Sequence, residues 1–96
     1  MIKSFKNKGL EDFYHYGSKA GIQPKHAEKL ELILDRLAGA TDIKDMRYPG
    51  SNLHKLNPKV ADEAKQKWAV SVSGNWRIQF LFYNGNAHIV DYLDYH

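Results

Sequence analysis

Apolar and polar residues alternate through the last part of the chain, from residue 70 to residue 96. Two turn signals interrupt this alternation, at Ser73-Gly74-Asn75 and at Asn84-Gly85-Asn86. An Asn-Gly pair suits a type I′ turn, because both central residues adopt positive φ. The pattern predicts three antiparallel strands joined by tight turns. The side chains expected to face the core are Trp68, Val70, Val72, Trp76, Ile78, Phe80, Phe82, Ala87, Ile89 and Leu93.

The same alternation predicts that Arg77, Gln79, Asp94 and His96 share the opposite face of the sheet. A guanidinium, a carboxylate and an imidazole on one face suit an anion-binding site with acid/base chemistry. A carboxylate two residues from an imidazole can also hold the ring in one tautomer and raise its pKa. The alternative is that these are ordinary solvent-facing polar residues, and the alternation alone leaves both interpretations open.

Helical periodicity characterises the first half of the chain. A first helix is predicted from Leu10 to about Lys19, and a longer one from Pro24 to Gly39, because proline suits the first turn of a helix. The longer helix has the more regular apolar stripe and should bury one face. The apolar positions of the two helices are Leu10, Phe13 and Tyr14, then Ala27, Leu30, Ile33, Leu34 and Leu37.

Two short strands complete the predicted elements. Ile2 to Phe5 is expected at a sheet edge, and Leu53 to Leu56 should end at Pro58, which cannot donate to a ladder. Residues 59–66 are expected to form an exposed loop. The order of elements indicates an α+β fold in a single domain, residues 1–96, with two N-terminal helices packed on a small curled, mainly antiparallel β-sheet.

The composition limits the cellular location and the kind of partner expected for the protein. The 96 residues include no cysteine, which excludes disulfides and thiolate metal sites and favours a reducing, cytoplasmic location. No apolar run approaches the roughly 18 residues of a membrane helix, so no membrane contact is expected. The net charge is +3, and basic residues exceed acidic ones between residues 47 and 79. This distribution favours an acidic partner.

Lysine and tyrosine side chains near the predicted sheet are candidates for RNA contacts. Tyr92 and Tyr95 are candidates for stacking on bases, whereas Trp68 and Trp76 alternate with valine and isoleucine, as core residues do. Several lysines together could contact phosphates. These lysines are Lys55, Lys59, Lys65 and Lys67.

The histidines do not indicate a metal site. His15 and His26 lie on different predicted helices, His54 and His88 on different predicted strands, and no pair has metal-ligand spacing. The sequence also contains no glycine-rich phosphate loop and no serine nucleophile elbow. We therefore expect neither a metal nor another cofactor.

Several short motifs in a fixed order resemble the HigB toxins of bacterial type II toxin–antitoxin systems, within the RelE/ParE superfamily. The resemblance covers nearly the whole chain. The motifs are the opening Ile2-Lys3-Ser4-Phe5-Lys6, then Lys8-Gly9-Leu10, the segment from Leu53 to Pro58, the hairpin Gly74-Asn75-Trp76-Arg77-Ile78 and the closing Asp94-Tyr95-His96.

The resemblance implies a RelE/ParE-like fold and a ribosome-dependent endoribonuclease that cuts mRNA in the decoding site. It also implies a HigA-type helix-turn-helix antitoxin as a partner, beside the 70S ribosome and mRNA, with operator DNA contacted only through the antitoxin. By the same resemblance, His96 is a general acid or base and Arg77 holds the scissile phosphate. Asp94 and Tyr95 match the acidic and aromatic residues before the terminal histidine.

The chain departs from its relatives after the short strand. Relatives commonly have His-Pro-Leu-Lys-Gly-Asp there, whereas this chain has Asn57-Pro58-Lys59-Val60-Ala61-Asp62. Asn57 replaces the usual histidine and is expected to contact RNA. The catalytic lysine is assigned to Lys59, with Lys55 and Lys67 as alternatives.

Two other functions remain open from the sequence. A ParE-like toxin of the same fold would inhibit DNA gyrase by binding, and a basic RNA-binding protein would bind without cleavage. Cleavage without metal ligands would instead use the 2′-hydroxyl of the RNA for an in-line attack on phosphorus.

Overall fold

The computed structural model describes residues 1–95, which form two helices and one open four-stranded sheet. All neighbouring strands in the sheet are antiparallel, and they lie side by side in the order in which they follow one another along the chain. The predicted α+β fold is confirmed. The elements are α1 (Lys8–Tyr16), α2 (Ala27–Gly39), β1 (His54–Lys55), β2 (Lys67–Ser73), β3 (Trp76–Tyr83) and β4 (Asn86–Asp94), with 3-10 turns at Pro24–His26, Ile43–Met46 and Glu63–Lys65.

The first helix, α1, is shorter at its end than the apolar pattern predicts. Its N-cap is Asn7, whose side-chain oxygen accepts a hydrogen bond from the Leu10 N–H at 2.9 Å. Gly17 ends the helix in the left-handed conformation, with φ of 74°, and its N–H donates to the Phe13 carbonyl. The helix therefore stops at Tyr16 rather than near Lys19, because glycine adopts this conformation without steric cost.

The helices bury their apolar stripes against one face of the sheet. The predicted stripe of α2 is confirmed, since Leu30, Ile33, Leu34 and Leu37 are each at most 1% exposed. These side chains form one core with the inner positions of the strands. The inner sheet residues of this core are Trp68, Val70, Val72, Ile78, Phe80, Phe82, Ala87, Val90 and Tyr92, and Trp76 packs against them half-buried.

The N-terminal segment lies along β4 instead of forming a full strand. Two parallel bridges, Ile2 to Ala87 and Phe5 to Val90, join it to the edge of the sheet. The Lys3 N–H donates to the Ala87 carbonyl at 2.8 Å. The edge of β4 is thus covered, which protects its unpaired backbone groups from pairing with another chain.

A β-bulge in β4 shifts the alternation of its side chains. Gln79 pairs with Asp91 and Leu81 with His88, so Ile89 and Val90 both lie opposite the single residue between Gln79 and Leu81. Ile89 has a φ of 53° and is 49% exposed. The predictions that Ile89 and Leu93 face the core are therefore wrong.

The two hairpin turns form where the sequence predicts them. Asn84 and Gly85 both have positive φ, 52° and 72°, as a type I′ turn requires. Residues 59–66 form the expected exposed connection before β2, although it contains the 3-10 turn Glu63–Lys65 and buries the side chain of Gln66.

Two glycines let the start of α1 touch the connection between the helices. A Cβ on Gly9 would lie 2.5 Å from the Gly21 carbonyl oxygen, and a Cβ on Gly21 would lie 2.5 Å from the Gly9 Cα. Both obstacles are backbone atoms. Neither position therefore accepts a side chain unless the helix moves away from the connection.

We expect Gly21→Ala to lower the free energy of unfolding by about 1–3 kcal/mol, the usual cost of overpacking. Urea denaturation followed by circular dichroism measures this change. Gly39→Ala is the matched control, because a Cβ at Gly39 meets no atom within 4 Å. That variant should be neutral or stabilised by up to about 1 kcal/mol, since alanine restricts the unfolded chain. Equal effects at the two positions would contradict the proposed close contact.

Candidate functional site

The end of the sheet at the β2–β3 turn brings together three of the predicted site residues. Arg77 lies near the start of β3, and Asp94 at the end of β4 pairs with the neighbouring Trp76. The Tyr95 N–H donates to the Asn75 carbonyl at 2.8 Å, and Tyr95 is 52% exposed. The predicted catalytic residue His96 lies outside the described residues.

The side chain of Arg77 bends back onto its own hairpin. Its Nη1 donates to the carbonyls of Gly74 and Trp76, the second at 3.0 Å. These bonds hold one edge of the guanidinium against the turn. Because the guanidinium carries five N–H donors in a planar fork, bonds through Nη1 leave further donors for an anion.

Arg77 and Asp94 approach the same end of the sheet from opposite faces. Directly paired residues point to one face, so Asp94 lies on the inner side with Trp76, whereas Arg77 lies on the outer side with Ser71 and Leu93. The prediction that Arg77 and Asp94 share a face is wrong. The cause is the bulge at Ile89, because one extra residue moves every later side chain to the other face.

Asp94 borders a shallow cavity of about 420 Å³ at the edge of the inner face. Trp76 and Tyr92 from the sheet and Gln23 from the connection between the helices also line it. Asp94 itself is exposed. Its carboxylate therefore lies where solvent, the helix connection and the end of β4 meet.

The predicted lysines lie toward the other end of β2. Lys67 is the first residue of this strand, and Ser71, four residues later, is the residue that pairs with Arg77. At the usual rise of a strand, Lys67 and Ser71 are roughly 13 Å apart. The Lys55 ammonium lies 5.5 Å from the centroid of the Trp68 ring, in a cation–π contact. Lys59 and Lys65 are exposed in the connection between β1 and β2. The outer face therefore carries Arg77 toward one end and Lys67 toward the other, whereas Lys55, which pairs with Trp68, lies on the inner side.

Asn57 helps to form a turn in the segment that follows β1. Its side-chain oxygen accepts from the Lys59 N–H at 3.3 Å, and its carbonyl accepts from the Val60 N–H at 3.1 Å. Asparagine before proline is a favoured start of such a turn. The turn leaves the Lys59 side chain exposed.

Tyr92 is a core residue rather than an exposed ring. It is 4% exposed and stacks on Trp76 with ring centroids 4.6 Å apart. Its hydroxyl lies 2.7 Å from His26 Nδ1 and accepts from the Gln23 N–H at 3.3 Å. Because the bulge turns Tyr92 inward, its ring is not accessible for the base stacking that the sequence predicts. The core positions predicted for Trp68 and Trp76 are confirmed.

Burial shifts the pKa values of both His26 and Tyr92. It lowers the pKa of His26 below 6.5, with a smaller contribution in the same direction from the charge of Lys25. Burial likewise raises the pKa of the Tyr92 hydroxyl. Both shifts favour the neutral forms, because a buried charge loses its hydration.

Asp91 is a polar residue of the outer face that the sequence analysis did not identify. An uninterrupted alternation through Ala87, Ile89 and Leu93 would direct Asp91 into the core, whereas the register pairs it with Gln79 on the outer face. The sequence does contain a signal of this orientation, because the aspartate stands at a position that the alternation predicts to be apolar. Such a conflict indicates a phase shift within a strand.

Two other features lie apart from these residues. A cleft of about 550 Å³ lies between α2 and the segment at Tyr48 and Pro49, with Arg36 stacked 4.8 Å from the Tyr48 ring centroid. Within residues 1–95, no group of three histidine, aspartate or glutamate side chains is arranged to hold a metal ion. No helix in that range has the length and apolar character needed to cross a membrane.

Comparison with known proteins identifies the family. A family model described as the RelE-like toxin of the type II toxin–antitoxin system HigB matches residues 3–96. The chain belongs to this HigB-like toxin family. It is also 36% identical over 96 residues to Endoribonuclease HigB of Proteus vulgaris, an alignment that covers 100% of both chains. The resemblance to HigB toxins that the motifs indicate is confirmed. Membership of a type II toxin–antitoxin family implies an antitoxin partner.

We expect the free energy of unfolding of this HigB-like toxin to fall as the pH drops below 6.5, partly because of His26. The folded pKa of His26 lies below the usual 6.5. The unfolded chain therefore binds the proton first, and stability is lost between pH 6.5 and the lowered folded pKa. Urea denaturation at a series of pH values from 7.5 to 5 would measure the effect.

His26→Gln should remove this part of the pH dependence. His15→Gln is the control, because His15 is exposed on α1. It should keep the pH profile of the wild type. If His26→Gln also kept that profile, burial of His26 would not be its cause.

Proposed function

We propose that this chain is a ribosome-dependent endoribonuclease toxin that cleaves mRNA in the ribosomal A site and so inhibits translation. The position of Arg77, Asp94 and Tyr95 at the same end of the sheet supports the proposal, although Arg77 and Asp94 lie on opposite faces there. Membership of the HigB-like family and the name of the Proteus vulgaris relative support it independently.

The proposed reaction uses the 2′-hydroxyl of the RNA as nucleophile. A base takes its proton, the 2′-oxygen bonds to phosphorus, and the bond from phosphorus to the 5′-oxygen breaks as that oxygen receives a proton. The products are a 2′,3′-cyclic phosphate and a 5′-hydroxyl. His96 acts as general acid or base, a role that contributes typically ~10²–10⁴ in rate.

Arg77 stabilises the negative charge that develops on the phosphate oxygens. Its guanidinium is held by the carbonyls of Gly74 and Trp76, so little reorganisation is needed when the phosphate arrives. Asp94 orients the imidazole, and Tyr95, whose ring is half-exposed, contacts the substrate. Lys59 is the candidate catalytic lysine, and it lies in the exposed turn after β1, toward the end of β2 away from Arg77.

The lysines supply electrostatic attraction for the RNA backbone. Lys55, Lys65 and Lys67 are exposed and lie toward the end of β2 opposite Arg77, with Asn57 in the adjoining turn. Cations at both ends of the outer face suit a polyanion that crosses it. The ribosome holds the message in position, and positioning can contribute about 7–11 kcal/mol to lowering a barrier. Positioning of the message by the ribosome therefore accounts for the small number of catalytic residues in the proposed mechanism.

The partners and location follow from this activity. A HigA-type helix-turn-helix antitoxin neutralises the toxin and contacts operator DNA, while the toxin itself binds the 70S ribosome and mRNA in the cytoplasm. The chemistry requires no cofactor. The shared core of both helices and the sheet supports a single RelE-like domain over residues 1–96.

We expect the wild-type protein to cleave a defined message within the A-site codon only when ribosomes are present. His96→Gln should lower the rate by ~10²–10⁴ through loss of proton transfer. Arg77→Gln should lower it by about 10²–10³ through loss of charge stabilisation. Primer extension on a message translated in a purified system measures these rates, and analysis of the RNA ends identifies the cyclic phosphate.

Arg47→Gln is the matched control for charge, because Arg47 is exposed and follows the turn Ile43–Met46, outside the sheet. It should cleave at the wild-type rate. Cleavage of free message at the same rate would contradict ribosome dependence. Products with a 3′-hydroxyl and a 5′-phosphate would contradict attack by the 2′-hydroxyl, and the absence of cleavage by folded wild-type protein would contradict the enzyme.

A further inference from the structure

The solvent side of α2 carries its positive and negative charges in two separate stripes. Lys29, Leu32 and Arg36 follow one another at intervals of three and four residues, so they share one face of the helix. Leu32, between the two cations, is 64% exposed. The neighbouring stripe carries the carboxylates, which are Glu28, Glu31 and Asp35.

The basic stripe forms one wall of the cleft of about 550 Å³ beside α2, which we call the α2 cleft. Tyr48 and Pro49 form the opposite wall. Asp35, at the border between the two stripes, is the one carboxylate that lines it. Sites that enclose a ligand usually have volumes of about 300–1,000 Å³, so the α2 cleft is large enough to receive several side chains of a partner.

The cations of the α2 cleft are available to an anionic group. Among the residues that the structure describes, neither Lys29 nor Arg36 forms an ion pair with a carboxylate. The Arg36 guanidinium lies 4.8 Å from the centroid of the Tyr48 ring, which holds it against the wall of the cleft. Because stacking uses the face of the guanidinium, the N–H donors at its edge can still bind a carboxylate.

We propose that the α2 cleft is the docking site of the antitoxin. The occupant is an amphipathic segment that packs an apolar side chain on Leu32 and Pro49 and binds Arg36 through a carboxylate. Membership of a type II toxin–antitoxin family supplies the partner. An exposed apolar side chain beside an aromatic ring and an arginine is typical of the centre of a protein interface. The inference goes beyond the proposed function and does not depend on RNA cleavage.

An RNA strand suits the α2 cleft less well than a protein segment does. Phosphates would contact the two cations and gain nothing from Leu32. The Tyr48 ring is half-buried and stacked with Arg36, so it offers a base little open surface. A polyanion that runs along α2 is also repelled by Asp35 and the rest of the acidic stripe. A protein segment avoids this repulsion, because it can place single carboxylates at the cations alone.

The test measures the affinity of the full chain for the antitoxin encoded in its own operon, by isothermal titration calorimetry. Leu32→Glu should raise the Kd at least about 30-fold, because it places a carboxylate against the apolar and acidic groups of the partner. Arg36→Glu should raise the Kd at least about tenfold and make it less sensitive to salt, because a charge pair is lost.

Lys19→Glu is the matched control for Arg36→Glu. It makes the same change of charge at an exposed position in the connection between the helices, which does not line the α2 cleft. It should keep the Kd of the wild type. Leu32 and Arg36 are both exposed, so both test variants should keep the circular dichroism spectrum of the wild type. Their cleavage rates should also be unchanged, because α2 packs on the inner face of the sheet and Arg77 lies on the outer face.

Wild-type affinity for the antitoxin in either folded variant overturns the docking site. Equal weakening by Lys19→Glu and Arg36→Glu also overturns it, because overall charge would then explain the effect. A labelled oligouridine provides the RNA probe. If the test variants lose affinity for this RNA and keep their affinity for the antitoxin, the cleft binds RNA instead. Binding is measured without ribosomes, so a wild-type protein that binds the antitoxin but cleaves no message overturns the proposed function alone.

Discussion

The contacts of Tyr92 join the two layers of the fold at the place where the candidate active site begins. The ring stacks on Trp76 of the neighbouring strand, and the hydroxyl binds His26 and the backbone of Gln23 between the helices. The carbonyl of the same residue accepts a hydrogen bond from the Asn7 side chain, which also caps α1. One residue therefore fixes β4 to both helical segments, two positions before Asp94.

This arrangement gives a rigid support to a terminal segment that would otherwise fray. The last residues of a chain are usually poorly ordered unless other elements hold them. Here the backbone of Tyr95 is held by Asn75 from the turn between β2 and β3, and that turn also binds the Arg77 guanidinium through Gly74. One hairpin turn therefore holds both the Arg77 guanidinium and the backbone of Tyr95.

Much of the fold could be predicted from the sequence, because the relevant signals are local. The Asn84-Gly85 turn, the apolar stripe of α2 and the inward positions of β3 all follow from backbone preferences and periodicity. The faces of Asp91, Tyr92 and Asp94 could not be predicted in this way. They depend on a bulge at Ile89, a β-branched residue that rarely adopts positive φ, so tertiary contacts and not local preference must hold that conformation. The Ile89 N–H bond to Ser4 Oγ, at 2.8 Å, is one such contact, from a residue 85 positions away.

The bulge makes the number of residues in β4 as important as their identity. Each side chain that follows it keeps its face only while the number of residues between the bulge and that side chain is unchanged. A one-residue insertion or deletion between the bulge and Asp91 would exchange Asp91 with a neighbour and turn Tyr92 out of its contact with His26. Divergence in this part of the chain should therefore occur by substitution at constant length, whereas length variation should concentrate in the exposed connection before β2.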